Sequence, residues 1–177
     1  AQLEASVAAL GSTVKLAHAA LLEQQLALPF LAPRTMFNVP IGGARRCAAQ
    51  SWSLDRIKKV KSAAGVTVND VVLAMCAGAL RAYLIEQSKL PSTPLIAMVP
   101  VNLRTERDAD GGGNIVGTVL CNLATNLDDA AQRLEVISTS MRDNKKVLSQ
   151  LSRPQALALS ALLIAPLGLA AVPGFVS

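Results

Sequence analysis

Aromatic side chains are scarce in this sequence: Phe, Tyr and Trp together make up 3% of 177 residues. A core must therefore be built mainly from Leu, Val, Ile and Ala. The basic runs interleaved with aromatics that mark many nucleic-acid binders are missing as well. Histidine is rarer still. His18 is the only one, it lies in an Ala- and Leu-rich stretch, and Ala19-Ala20 follow it. A lone histidine in that setting is ordinarily structural, and no Ser-His-Asp or Cys-His arrangement has a second supporting signal. Cys47, Cys76 and Cys121 are far apart, with no CxxC pair and no metal-ligand spacing. They are expected to be reduced, mostly buried thiols of a cytosolic protein. The opening AQLEASVAAL lacks a charged n-region, a clear h-region and a Met, so no signal peptide is read. The missing Met fits a chain that does not begin where its gene product begins.

What is present is a folding composition. Apolar residues are 51% and charged residues 16%, which argues against disorder. The length suits one ordinary domain. The net charge of +5 is compatible with nucleic acid, a phosphate-bearing cofactor or an acidic membrane surface. The basic residues are scattered in short clusters, Arg45-Arg46, Lys58-Lys59-Lys61 and Lys145-Lys146. That scatter disfavours a nucleic-acid partner.

The spacing of Leu3, Val7, Leu10, Val14, Ala17, Leu21 and Leu28 predicts a helix over 3–28. Pro29, Pro33, Pro40, Gly42 and Gly43 mark an extended linker. Arg45–Trp52 can form a strand. Ser53 is expected to cap a short helix with its hydroxyl, Asp55 suits the first turn, and Leu54, Ile57 and Val60 form a buried stripe. Gly65 is expected to stop that helix in the left-handed region. Thr67-Val68-Asn69-Asp70 has capping-box spacing and opens a second helix, apolar on most sides and so expected to be buried. Leu95–Val101 reads as a strand covered on both faces, 102–113 as a polar loop, and Ile115–Leu127 as another strand. Asp128 or Asp129 caps a helix to about Leu148, with Leu134, Ile137, Met141 and Leu148 on one face. Ala156–Val172 is very hydrophobic but shorter than a bilayer span, and Pro166 and Gly168 interrupt it. It reads as a buried or membrane-surface helix. Strands alternating with helices after residue 45 give an α/β or α+β class.

Few residues suggest chemistry. Gly111-Gly112-Gly113 follow a strand but fit neither GxGxxG nor GxxxxGK[ST]. Asp128-Asp129 are explained as caps. Asn69 and Asp70 admit two readings. In one, Asp70 closes the capping box and Asn69 points to solvent. In the other, the pair lines a site at the head of a buried helix.

TVNDVVLAMCAGALRAYL (Thr67–Leu84) resembles the Asn-Asp motif of the bacterial wax ester synthase/diacylglycerol acyltransferases, especially the actinobacterial triacylglycerol synthases. Ala32–Gly65 is similar to the linker, strand and helix that precede that motif. PLIAMVPVNLR (Pro94–Arg104) resembles the following strand, with its Pro-Val-(Ser/Asn)-x-Arg ending, and GGNIVG (Gly112–Gly117) resembles the Gly-Asn turn. The resemblance is strongest over residues 28–150.

The resemblance implies a chloramphenicol-acetyltransferase-like fold of two α/β lobes meeting at a channel. An HHxxxDG motif in the N-terminal lobe would supply a histidine as general base on the acceptor hydroxyl, which attacks an acyl-CoA thioester. This sequence holds no HHxxxDG and no PLW motif, and it stops before the family's remaining C-terminal strands. It is therefore expected to be a partial chain: 1–28 the helical end of the N-terminal lobe, 29–44 the interlobe linker and 45–177 part of the C-terminal lobe. Asn69 and Asp70 match the family motif and would shape the helix head facing the channel. Arg104 and Asn114 match positions near the channel or lobe contact. The implied partners are acyl-CoA, as substrate, with diacylglycerol or a long-chain alcohol, a membrane or lipid-droplet surface, and the rest of the two-lobe fold. No metal and no prosthetic group is implied. The implied location is cytoplasmic, peripheral at the inner membrane or lipid inclusions. Rival readings are a non-catalytic lipid- or partner-binding remnant, a condensation-type acyltransferase, and a basic nucleic-acid module.

Overall fold

A computed structural model describes residues 32–40, 42–102 and 116–170. The expected helix over 3–28, most of the polar loop 102–113, and Arg104 and Asn114 lie outside these residues. Four helices and two strands are seen among them. They are α1 (Leu54–Ala64), α2 (Val68–Glu86), β1 (Ile96–Asn102), β2 (Val116–Asn122), α3 (Ala130–Gln150) and α4 (Arg153–Ala170). The strands pair as a two-stranded sheet. The class is α+β.

The described residues fall into two units. A helical unit holds residues 32–95 and 122–139, and a strand unit holds 96–102, 116–121 and 140–170.

In the helical unit the punctuation of the sequence is obeyed. Among the described residues before α1 there is no helix or strand. Asn38 closes a turn there, its N–H donating to Thr35 O at 3.0 Å and its Oδ1 accepting from Thr35 N at 2.7 Å. Phe37 stacks on Tyr83 of α2 at a centroid distance of 6.1 Å. Gly65 ends α1 at φ 66°, and Val66 N donates to Lys61 O at 3.1 Å. The end of α2 forms a Schellman closure on a non-glycine residue. Ser88 sits at φ 52°, Ser88 N donates to Ile85 O, and Lys89 N donates to Leu84 O, both at 2.8 Å.

Several expectations fail here, each for a non-local reason. Arg45–Trp52 is not a strand. The segment is exposed and has no partner strand among the described residues, and an isolated extended segment gains no ladder hydrogen bonds. Ser53 sits at the N-cap of α1, but its side chain makes no cap hydrogen bond. The α1 stripe is not buried: Leu54 and Val60 are exposed and Ile57 is half-buried. α2 is not covered on all sides either. Asp70, Val71, Ala77 and Leu84 are buried, whereas Val72, Met75, Tyr83 and Ile85 are exposed. An all-round apolar composition sets no preferred face and cannot say which face a neighbour covers. By length and composition alone, α2 would also suffice to cross a membrane.

The turn joining β2 to α3 anchors the helical unit. Thr125 is fully buried. Its Oγ1 accepts from Leu95 N at 2.9 Å, and its carbonyl accepts from Arg81 Nη1 at 2.7 Å. Arg81 also forms an ion pair with Asp128. Ala124 occupies the left-handed region at φ 49°, and its N–H donates to Asn122 Oδ1 at 2.8 Å. Such a local side-chain bond lets an Asn-led turn hold that geometry. Asp129, as expected, caps α3, accepting from Gln132 N at 2.7 Å.

The strand unit packs Val99 of β1 and Val119, Leu120 and Cys121 of β2 into a core with Met141, Val147, Leu148 and Ala156. β1 is less covered than expected, with Met98 and Pro100 exposed. β2 is shorter than expected because the chain turns after Asn122. Buried polar side chains satisfy strand groups. Asn144 Nδ2 donates to Leu120 O at 2.9 Å, and Ser160 Oγ accepts from Thr118 N at 2.9 Å. Ser152 immediately precedes α4, and its N–H and hydroxyl both donate to Gln155 Oε1, at 2.9 and 2.8 Å. The helix then runs through Pro166 and Gly168, which were expected to interrupt it. One proline deletes one ladder bond, and flanking Leu and Ala favour continuation.

Candidate functional site

The head of α2 is built by the reciprocal cap that the sequence announces. Thr67 is extended, at φ −91° and ψ 162°. Its Oγ1 accepts from Asp70 N at 3.2 Å, and its own N–H donates to Asp70 Oδ2 at 2.9 Å. Asp70 is 3% exposed, while Asn69 beside it is exposed. The two adjacent residues thus face different surroundings. Asp70 Oδ1 is buried and has no hydrogen-bond partner among the described residues. An unpaired buried acceptor costs about 1–3 kcal/mol. Arg104 and Asn114 lie outside the described residues, so only the Asn69–Asp70 pair is placed.

Beyond Asp70, the same helix forms one wall of a groove. Val71, Ala74, Met75 and Gly78 of α2 face Ile57 and Val60 of α1, with Ala130 and Leu134 of α3 and Trp52 completing the lining. The groove encloses about 420 Å³ and opens to solvent. Ile57 and Val60 of the α1 stripe that was expected to be buried therefore form a groove wall, while Leu54 is exposed outside it.

Two arginines, Arg56 and Arg133, line this apolar surface, and no acidic residue does. Arg133 Nη1 donates to Leu127 O at 3.0 Å and to Asp128 O at 2.8 Å. Its Nη2 lies near Gly78, 3.6 Å from where a Cβ would stand. Its Nε is buried without a hydrogen-bond partner. Sequence reasoning missed Arg133, Arg56 and Trp52. A signal existed for Arg133: it lies four residues before Ile137 on the apolar stripe of α3, where a charge is out of place. Trp52 could have been singled out as the only tryptophan of an aromatic-poor chain.

The groove can hold and orient an apolar chain, but its lining offers no group that exchanges a proton near neutral pH. Among the described residues no cluster of three His, Cys, Asp or Glu could hold a metal ion. The expectation of mostly buried thiols fails for two of the three cysteines: Cys47 and Cys76 are exposed, and Cys121 is buried. Cys76 lies on α2, the helix expected to be buried.

Comparison with known proteins supplies what geometry alone does not. The wax ester synthase/diacylglycerol acyltransferase catalytic-domain family model matches residues 1–72, and the WS/DGAT C-terminal domain model matches residues 112–177. A Mycobacterium tuberculosis protein named as a probable diacylglycerol O-acyltransferase, tgs2, is 74% identical over 166 residues, covering 94% of this chain. A second M. tuberculosis protein named for the same activity is 68% identical over 170 residues, covering 96% of this chain. Among solved structures, the wax ester synthase/diacylglycerol acyltransferase of Marinobacter aquaeolei is similar with a TM-score of 0.67 at 38% identity, over 89% of this chain. The chain spans 37% and 38% of the length of the two mycobacterial relatives and 33% of the solved structure. Two models of one family match it in order, and its capped Asn-Asp helix lies where the first model ends; the chain belongs to the wax ester synthase/diacylglycerol acyltransferase family.

Proposed function

We propose that this chain is part of an acyl-CoA-dependent O-acyltransferase that acylates diacylglycerol or a long-chain alcohol, in triacylglycerol or wax ester synthesis. Family membership over both matched stretches carries this reading. In the proposed reaction a general base takes the proton of the acceptor hydroxyl. The oxygen attacks the thioester carbonyl, the C–S bond breaks, and CoA leaves as a thiol once protonated. The base is a histidine of an HHxxxDG motif, which this chain does not contain. Asn69 and Asp70 shape the helix head beside the substrate channel, and Arg104 and Asn114 contribute near that channel or at the lobe contact. Acyl-CoA is a substrate, and the reaction needs no metal or prosthetic group. The protein works in the cytoplasm at the inner membrane or lipid-inclusion surface, where its basic residues face anionic headgroups.

The test is transfer from labelled palmitoyl-CoA to diolein or hexadecanol. The 177-residue chain alone is expected to give no product above a no-enzyme control. Co-expression with a histidine-bearing lobe from a mycobacterial relative is expected to restore product. Turnover by the chain alone would overturn the assignment of the base, and no turnover in the reassembled protein would overturn the activity. The apolar groove favours one alternative, a non-catalytic lipid-binding chain. Liposome flotation with no product from the reassembled protein would support it.

A further inference from the structure

Residues 32–40 carry the chain into the helical unit, which begins at Ala32. A tight turn is built there from side chains. Thr35 Oγ1 accepts from Phe37 N at 3.2 Å and donates to Asn38 Oδ1 at 3.2 Å, and Asn38 Oδ1 also accepts from Thr35 N at 2.7 Å. With the bond from Asn38 N to Thr35 O, these fix Met36 and Phe37 at the tip. The tip presents Phe37 to α2, where its ring lies 6.1 Å from that of Tyr83 and 21° from parallel. Tyr83 is on the exposed side of α2, so the stack is an addition to the folded unit and not part of its core. Phe37 and Tyr83 stay 46% and 42% exposed. A stack left half open to water holds weakly and reversibly, and a turn already shaped loses little freedom in making it.

We propose that this turn is a latch. With Phe37 stacked, the entering segment is clipped to α2. With Phe37 released, the segment swings away while the helices stay folded. Pro33 and Thr35 are half-buried in the clipped state, whereas every described residue from Asn38 to Ser53 is exposed. The hold is therefore concentrated at the turn. In the proposed transferase the latch fixes the tether by which a preceding lobe joins this unit. That consequence rests on the acyltransferase reading, but the latch itself does not. Opening is measured without substrate, so its failure leaves the transfer reading standing, and the converse also holds.

Trypsin reads the latch at Arg34, which lies between half-buried Pro33 and Thr35, against Arg45 and Arg46 in the exposed segment. Initial rates of the first cut are measured by mass spectrometry on the 177-residue chain. Cleavage at a site that must open follows the population of the open form. Phe37→Ala is expected to speed cleavage after Arg34 about fivefold. Cleavage after Arg45 and Arg46, and after Lys58 and Lys59 of α1, should not change. Tyr83→Ala should act like Phe37→Ala. The double variant should be no faster than either single one, because each removes the same contact. Phe37→Tyr keeps the stack and should keep the native rate. Native cleavage after Arg34 in Phe37→Ala, or multiplied effects in the double variant, would each overturn the latch. So would a matching rise after Lys58 and Lys59, which would make the stack part of the fold.

Discussion

Thr67 and Asp70 hold each other reciprocally, the hydroxyl of one accepting from the backbone of the other and the carboxylate returning the bond at 2.9 Å. Two of the four N–H groups at the head of α2 are satisfied this way, and the buried negative charge sits at the positive end of the helix dipole. Thr67→Ala should therefore cost about 1 kcal/mol of stability, and Asp70→Ala about 1–2 kcal/mol. Asn69→Ala, at an exposed position, should stay within about 0.5 kcal/mol. Urea unfolding of the three variants measures this, with unchanged m-values and shifted midpoints for the first two. If the proposed channel role of Asn69 is right, Asn69→Ala should still lower turnover in the reassembled enzyme. Stability and activity would then separate at adjacent residues.

Thr125 and Asp128 both serve Arg81 or its surroundings but differ in burial. Thr125 is fully buried and its hydroxyl accepts from Leu95 N, whereas the Asp128 side chain is 90% exposed. Thr125→Val leaves the Leu95 N–H without its acceptor and should cost about 1–3 kcal/mol. Asp128→Ala removes a solvent-screened ion pair and should cost less than about 1 kcal/mol. Thermal unfolding at low and high salt checks both. Only the Asp128 effect should fade as salt rises.

Ser160 makes a comparable but cheaper test in the strand unit. Its hydroxyl accepts from Thr118 N and donates to Ala156 O at 2.8 Å. Ser160→Ala should cost about 1 kcal/mol by orphaning a strand N–H. Hydrogen exchange at the Thr118 amide should speed up more than at its neighbours.

What was legible in the sequence was what a few consecutive residues decide. The Thr67–Asp70 box, the Gly65 stop and the Asp129 cap need only local geometry, and each was placed correctly. So was the apolar stripe of α3, with Ile137 and Met141 fully buried. The strand over Arg45–Trp52 failed because a strand is made by its partner. The buried stripe on α1 and the all-round burial of α2 failed because periodicity identifies a face, not what lies against it. Asn69 and Asp70 were singled out through motif and capping together. Arg133 was hidden because a basic residue on a helix usually reads as solvated, and its stripe position matters only once Gly78 lies beside it.

Gly65 and Gly78 should respond to alanine with opposite signs. Gly65 sits at φ 66° with nothing within 4 Å of a Cβ, so only backbone strain opposes the side chain. That strain should cost about 1 kcal/mol. Gly78 lies inside α2, where an added Cβ would meet Arg133 Nη2 at 3.6 Å, an ordinary contact. Replacing an interior helical glycine by alanine should then gain up to about 1 kcal/mol. Thermal unfolding should therefore show a raised midpoint for Gly78→Ala and a lowered one for Gly65→Ala.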